Sequence, residues 1–194
     1  AKFTQGMKDA MSGGKAKMSE DDMQKTLSAF QKDEIKKMQD QQTAQADKNQ
    51  QASDAFLAAN AKKDGVKSTD SGLQYKILTP GTGASPKASD TVTVDYEGKL
   101  IDGTVFDSSY KRGKPVSFPL SGVIPGWTEG VQLMKEGATW EFYIPADLAY
   151  GKAGAPGAIG PNQALIFKIH LISIDKAADN GKTDSSSADS ASDK

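Results

Sequence analysis

The chain of 194 residues contains no cysteine, which excludes disulfides, thiol catalysis and thiolate metal sites. Histidine occurs once, as His170, too little for a multi-histidine metal site or a catalytic triad. The run around it, ALIFKIHLISI, alternates like a strand. Leu165, Phe167, Ile169 and Leu171 share one face, and His170 lies on the other with Lys168, as a solvent-side strand residue would. Excess charge is missing too: 24 basic against 25 acidic residues leave a formal net charge of -1. With no basic block carrying interleaved aromatics, nucleic acid is not an expected partner. No apolar run approaches the roughly 18 residues of a membrane span. The chain opens AKFTQG, without initiator methionine or signal peptide, and the expectation is that processing or cloning removed what came before. Function therefore has to come without the usual nucleophiles and general bases.

Proline is absent from residues 1–64, and that region reads as helix. Phe3, Met7, Ala10 and Met11 fall on one face of a short helix that Gly13-Gly14 would end. Ser19 then suits an N-cap, and Glu20, Asp21 and Asp22 complement the positive end of a helix dipole. Met23, Leu27, Phe30 and Met38 continue an apolar stripe, with Ile35 at its edge. From Gln39 to Asp54 no large apolar residue appears. A helix from Ser19 to about Asp64 would be roughly 65–70 Å long, and its polar middle reads as a spacer through solvent. Five of the six methionines lie in the first 38 residues. A Met-rich face with no second layer in its own segment needs a partner, the simplest being an identical chain.

All eight prolines and most of the aromatic residues lie between residues 66 and 176. LQYKILT, TVTVDYEGKLI, WEFYIP and ALIFKIHLISI read as strands, separated by the turn chemistry of PGTG, IDGT and KRGKP. Between Pro125 and Gly137, Trp127, Val131 and Met134 follow helical spacing. The expectation is an α+β domain, a sheet with one short helix against it. Such a domain should fold alone, with little from the arm at its boundary and activity kept in a chain beginning near Lys67. Residues 177–194, ending TDSSSADSASDK, read as a disordered tail.

DYEGKLIDGTVFDSS, VIPGWTEGVQLM, IPADLAYG and LIFKIHL stand in the order and spacing of the FKBP-type peptidyl-prolyl cis–trans isomerases, and this stretch resembles them over residues 70–175. RGKPVSFPLSGVIPGWTEG and AYGKAGAPGAIGPN resemble most the bacterial macrophage infectivity potentiator and FkpA branch. The resemblance implies an antiparallel half-barrel sheet over one short helix, preceded by an all-α arm with a long connecting helix. The domains would then be 1–18, a remnant of an N-terminal helical dimerisation region; 19–65, the connecting helix; 66–176, the isomerase domain; and 177–194, the tail. The branch carries a further helix ahead of the segment that begins here at Ala1. A homodimer is thus implied for the complete protein, and weak or absent association for this chain.

By the same resemblance, Tyr96, Phe106, Asp107, Trp127, Tyr150 and Phe167 form the catalytic pocket, with Trp127 as its floor. Val123 and Ile124 line the approach, Val116 stands where some relatives carry an aromatic, and Ala158 and Ile159 lie in a loop that overhangs the site. The backbone N–H of Ile124 and the Tyr150 hydroxyl would bind substrate carbonyls, and Asp107 would supply a polar contact, through Tyr96. No cofactor and no metal is implied. The implied partners are unfolded or partly folded polypeptides with X–Pro bonds and FK506- or rapamycin-type ligands, and the implied location is the periplasm or the bacterial outer surface. Two other readings remain open: a chaperone that holds polypeptides while isomerase turnover is incidental, and a surface virulence factor.

Overall fold

The structure is a computed structural model that describes residues 19–176, Glu20 by its backbone alone. The short helix expected around Phe3, Met7 and Met11, and the expected tail, lie outside the described residues. A long helix, α1 (Glu20–Asn60), comes first. Ser19 caps it: its Oγ accepts the Asp22 N–H at 3.2 Å, which satisfies one of the free donors of the first turn. At about 1.5 Å per residue the helix is roughly 60 Å long. It ends at Asn60 rather than near Asp64. Residues 61–65 turn the chain, and Gly65, at φ 79°, adopts the left-handed conformation that this reversal needs.

Among the described residues seven strands follow: β1 (Val66–Ser68), β2 (Gln74–Thr79), β3 (Thr91–Leu100), β4 (Val105–Ser108), β5 (Val116–Pro119), β6 (Thr139–Ile144) and β7 (Leu165–Asp175). A four-residue helix, α2 (Ser109–Arg112), and a longer one, α3 (Pro125–Leu133), interrupt them. All pairings are antiparallel, in the order β1-β2-β6-β7-β3-β4, with β5 also paired to β3. The last strand in sequence is thus central in space, bonded to β6 on one side and β3 on the other. β3 shows why alternation could be read from sequence: Val92, Val94 and Tyr96 face inward, buried, while Thr93, Asp95 and Glu97 face outward.

The concave face of this sheet closes over α3. Pro125 opens α3 at its first turn, where a missing N–H costs nothing. Trp127 and Val131, with Met134 just beyond, join Phe142, Ile144, Leu165, Ile169 and Leu171 in one buried core. Two glycines set the close approach. A Cβ on Gly126 would lie 2.5 Å from Ile144 Cγ2, and one on Gly130 2.4 Å from Phe142 Cε1, so α3 lies closer to β6 than any side chain at those positions allows.

The polar second half of α1 is not the solvent spacer its sequence suggests. Asn49, Ser53 and Asn60 are buried. Asn49 Nδ2 donates to the Pro161 carbonyl at 2.7 Å, and Ser53 Oγ donates to the Asn162 carbonyl at 3.0 Å while accepting the Ala164 N–H at 2.8 Å. Further along, Asn60 Nδ2 donates to Gln74 Oε1 and Gln74 Nε2 to the Leu57 carbonyl, both at 3.0 Å. Phe56 packs against Tyr143, ring centroids 6.1 Å apart. The arm therefore does contribute at the boundary. The reading went astray because polar residues can bury when backbone groups of another segment receive them. In the first half of α1, Met23, Leu27, Phe30, Ile35 and Met38 are each about half exposed. Among the described residues no helix is long and apolar enough to cross a membrane.

Candidate functional site

Trp127 lies in the first turn of α3, only 5 % exposed. Its N–H donates to the Ile124 carbonyl at 2.9 Å, and the Thr128 N–H reaches the same oxygen at 3.1 Å. Those bonds lock the turn that carries the indole inward. Three rings meet it edge-to-face: Tyr96 at 5.2 Å and 84°, Phe118 at 5.7 Å and 86°, and Phe167 at 5.3 Å and 88°. Phe106 extends the wall, edge-on to Phe167 at 5.5 Å. Edge-to-face pairs at such spacings add about 0.5–1.5 kcal/mol each beyond burial, so the rings hold one another in place.

Backbone irregularities aim two of these residues. Between β3 and β4 the register passes from Gly98↔Asp107 to Lys99↔Val105, which leaves Phe106 as the extra residue of a β-bulge. A bulge breaks strict alternation and redirects its side chain. Gly98 makes the corresponding room: a Cβ there would lie 2.7 Å from both Phe106 Cζ and Phe167 Cε1. The missing side chain is what allows the two rings to meet over β3.

A polar cluster borders the apolar one. The Tyr96 hydroxyl donates to Asp107 Oδ2, Arg112 Nη1 donates to Asp107 Oδ1, and Arg112 Nη2 donates to the Tyr96 hydroxyl oxygen at 2.7 Å. The guanidinium also lies over the Tyr96 ring, 5.4 Å from its centroid. Partial burial pulls the Asp107 carboxyl upward, but the Tyr96 hydrogen bond and Arg112 outweigh it and hold the group below the ordinary carboxylate range. Burial, then the bond to Asp107, push the Tyr96 phenol up. At neutral pH the cluster is a carboxylate, a phenol and a guanidinium, each with a partner. A cleft of about 180 Å³ opens beside it, lined by Val105, Phe106, Asp107, Ser108, Lys111 and Arg112.

The remaining expected residues are spread around this centre. Val116, Val123 and Ile124 are half-buried against the core cluster. Tyr150 is exposed. The pair in the loop separates: Ile159 is buried within the cluster that contains Trp127, and Ala158 is exposed. Three contributors escaped the sequence reading. Phe118 lies within RGKPVSFPLSGVIPGWTEG, but nothing in that stretch places its ring beside Trp127. Arg112 looked like turn chemistry in KRGKP, although its spacing of five from Asp107 across a short turn could have suggested a salt bridge. Gly98 gives no signal alone, because a glycine in a strand reads as a weak point. His170 stands on the outer face of the sheet, with Nδ1 2.9 Å from Thr139 Oγ1. Among the described residues no three of His, Cys, Asp or Glu gather as a metal site would require.

Comparison with known proteins bears on this geometry. A family model for FKBP-type peptidyl-prolyl cis–trans isomerase matches residues 83–172, and one for the domain amino-terminal to such isomerases matches residues 1–77. The chain is 56 % identical over 176 residues to "Outer membrane protein MIP" of Legionella longbeachae, covering 91 % of this chain and 76 % of that one. It is 55 % identical over 174 residues to "Peptidyl-prolyl cis-trans isomerase Mip" of Coxiella burnetii, with 90 % and 76 % covered. The crystal structure of FkpA from Escherichia coli superposes with a TM-score of 0.81 at 41 % identity, over 90 % of this chain and 81 % of that one. An aromatic cluster between an antiparallel sheet and a short helix, a helical segment ahead of it, and likeness along nearly the whole length agree: the chain belongs to the FKBP-type peptidyl-prolyl cis–trans isomerases, in the branch of Mip and FkpA.

Proposed function

We propose that the pocket over Trp127 is where this isomerase turns the X–Pro bonds of unfolded and partly folded polypeptides, and that it does so by solvation rather than by bond chemistry. The observation that carries the reading is the aromatic cluster itself, Trp127 held edge-on by Tyr96, Phe118 and Phe167. A planar amide is dipolar and well hydrated, and rotation about it meets a barrier of about 18–20 kcal/mol. At the twisted state conjugation is lost and charge separation falls. A site that takes the amide out of water favours the twisted form over the planar one. Each ~1.4 kcal/mol of that difference is about tenfold in rate.

In this reading Trp127, Phe106, Phe167, Val116, Val123 and Ile124 hold the proline ring. The carbonyl of Ile124 is taken up by α3, so its N–H is the group left to meet a substrate carbonyl. Tyr150, exposed, offers its hydroxyl to a second carbonyl. Asp107 stays ionised and paired, orienting the Tyr96 hydroxyl and presenting a fixed negative edge to the rotating bond. Ala158 and Ile159 form the overhang. FK506- and rapamycin-type ligands would occupy the same pocket, their ring in place of proline. The decisive assay follows cis–trans exchange of a proline-containing peptide with and without such a ligand. Phe106→Ala should lower kcat/KM by about tenfold or more while the fold is retained. Unchanged turnover in that variant would remove the pocket assignment.

The half-exposed face of α1, with Met23, Leu27, Ile35 and Met38, supports a second component: a surface that joins two copies or holds a client chain. Full burial of each such side chain is worth roughly 1.5–3 kcal/mol. An identical chain is the simplest cover, and sedimentation across a concentration series tests it. Aggregation suppression that survives Phe106→Ala but not loss of α1 would assign holding of clients to the arm. By likeness to relatives that include an outer membrane protein, the setting is the bacterial envelope, periplasmic or outer surface.

A further inference from the structure

The contacts between α1 and the sheet domain fall in two places with different consequences. At the far end, Asn60 and Leu57 bond Gln74 of β2, well away from the pocket in the sheet order. Nearer the middle, Asn49 and Ser53 bond the segment 161–164, which leads directly into the loop over the site. Both side chains are nearly sealed from solvent, 8 % and 2 % exposed. Gln45 Nε2 donates to Asn49 Oδ1 at 2.7 Å, fixing the amide so that its Nδ2 faces Pro161. Gly160 lies so close that a Cβ would stand 3.0 Å from Asn49 Nδ2.

The strap that they hold connects with two expected substrate-contacting residues. Ile159, two residues before Pro161, is buried in the same cluster as Trp127. Asn162 has φ 54°, a left-handed conformation uncommon outside glycine. In that conformation its N–H donates to the Gly151 carbonyl at 2.9 Å, directly after Tyr150, while its own carbonyl accepts from Ser53. One short segment thus ties the helix to both branches of the loop.

We propose that Asn49 and Ser53 are positioning residues for the isomerase site: from α1 they fix the 159–164 strap, and through it Ile159 and the backbone at Tyr150–Gly151. The arm is then part of the machinery that shapes the pocket's overhang, and motion at the helix changes substrate affinity. This rests on reading the Trp127 pocket as the active site.

The test uses the full chain. Asn49→Asp keeps the shape but turns a donor toward Pro161 O into an acceptor; Ser53→Ala deletes both of its bonds. Gln74→Ala is the control, because it loosens the far end of α1 and touches no part of the strap. Each is compared by thermal melt, by KM and kcat on a proline-containing peptide, and by amide hydrogen exchange. The expected result is a KM raised about three- to tenfold in the two strap variants, with kcat changed less. Exchange should quicken at Ile159, Asn162 and Ala164. The control should melt earlier with KM unchanged. If the strap variants melt like the control and leave KM and loop exchange at wild-type values, the role is structural and the proposal falls. Phe106→Ala in the same series separates the two ideas: if it leaves turnover intact, the pocket reading fails by itself, whatever the strap does to exchange.

Discussion

Gly98 shows how much a single absent side chain can decide. Its hydrogen faces two rings, and any Cβ would sit inside contact distance of both. Gly98→Ala should therefore destabilise the domain by about 1–3 kcal/mol through overpacking, and should weaken binding of an FK506-type ligand because Phe106 and Phe167 must move apart. A calorimetric melt and a ligand titration check this; normal affinity at lowered stability would detach Gly98 from the site. The Tyr96–Asp107–Arg112 cluster predicts the pH response. Asp107 is held below its usual range, so its contribution is present above the unfolded-state value and disappears as pH falls through the folded one. Tyr96 is raised, so its contribution is present below the unfolded value and disappears as pH rises through the folded one. Between about pH 5 and pH 9 neither group changes state, and kcat/KM should be flat there. A limb falling between pH 5 and pH 9 would require an essential titrating group outside this pair.

At the scale of elements, the outer face of the sheet carries a charge ladder that crosses four strands. Lys76 of β2 pairs Glu141 of β6, Glu141 pairs Lys168 of β7, and Lys168 pairs Glu97 of β3. Glu97 also binds Lys99 at 2.7 Å. Opposite charges directly across strands stabilise modestly, and like charges reverse the sign. Glu141→Lys puts three lysines in a row and removes the acceptor of the Tyr143 hydroxyl. We expect a loss of about 1–2 kcal/mol in denaturant titration, partly restored by salt, which screens exposed charges. An equal loss in Tyr143→Phe, which leaves every charge of the ladder in place, would show that the Tyr143 bond, not the ladder, is responsible. This ladder was legible only in fragments. β2, β3, β6 and β7 read as strands from their runs, β3 and β7 by alternation, yet pairing partners depend on register. The short β1, β4 and β5 hold three or four residues each, too few to show a period. α3 could be read because Trp127, Val131 and Met134 all face the core. The docking of α1 could not, because Asn49 and Ser53 look like surface residues until the carbonyls they meet are known. Four ordered motifs carry the resemblance to the family, while each expected site residue singly would pass as core.

For the whole molecule, the buried contacts of α1 change what a minimal unit should contain. A chain beginning near Lys67 loses Asn49, Ser53, Phe56 and Asn60, leaving Gln74 and the Ala164 N–H to water. It should melt roughly 4–10 °C below a chain beginning near residue 44, which keeps them. Equal melting temperatures would return the helix to the status of a spacer.

The position of β7 has a consequence for how the protein is made. β7 pairs along ten positions with β3 and six with β6, so the sheet has no centre until residues 165–175 exist. During synthesis nearly the whole isomerase domain leaves the ribosome before its middle strand arrives, and non-local pairing of this kind is slow even then. The sheet of the nascent chain should therefore stay incomplete until that strand has emerged. A chain ending before Leu165 should show no cooperative melt, and one ending after Lys176 should melt like the full length. A catalyst of others' folding is thereby itself a late folder, completed by its last strand.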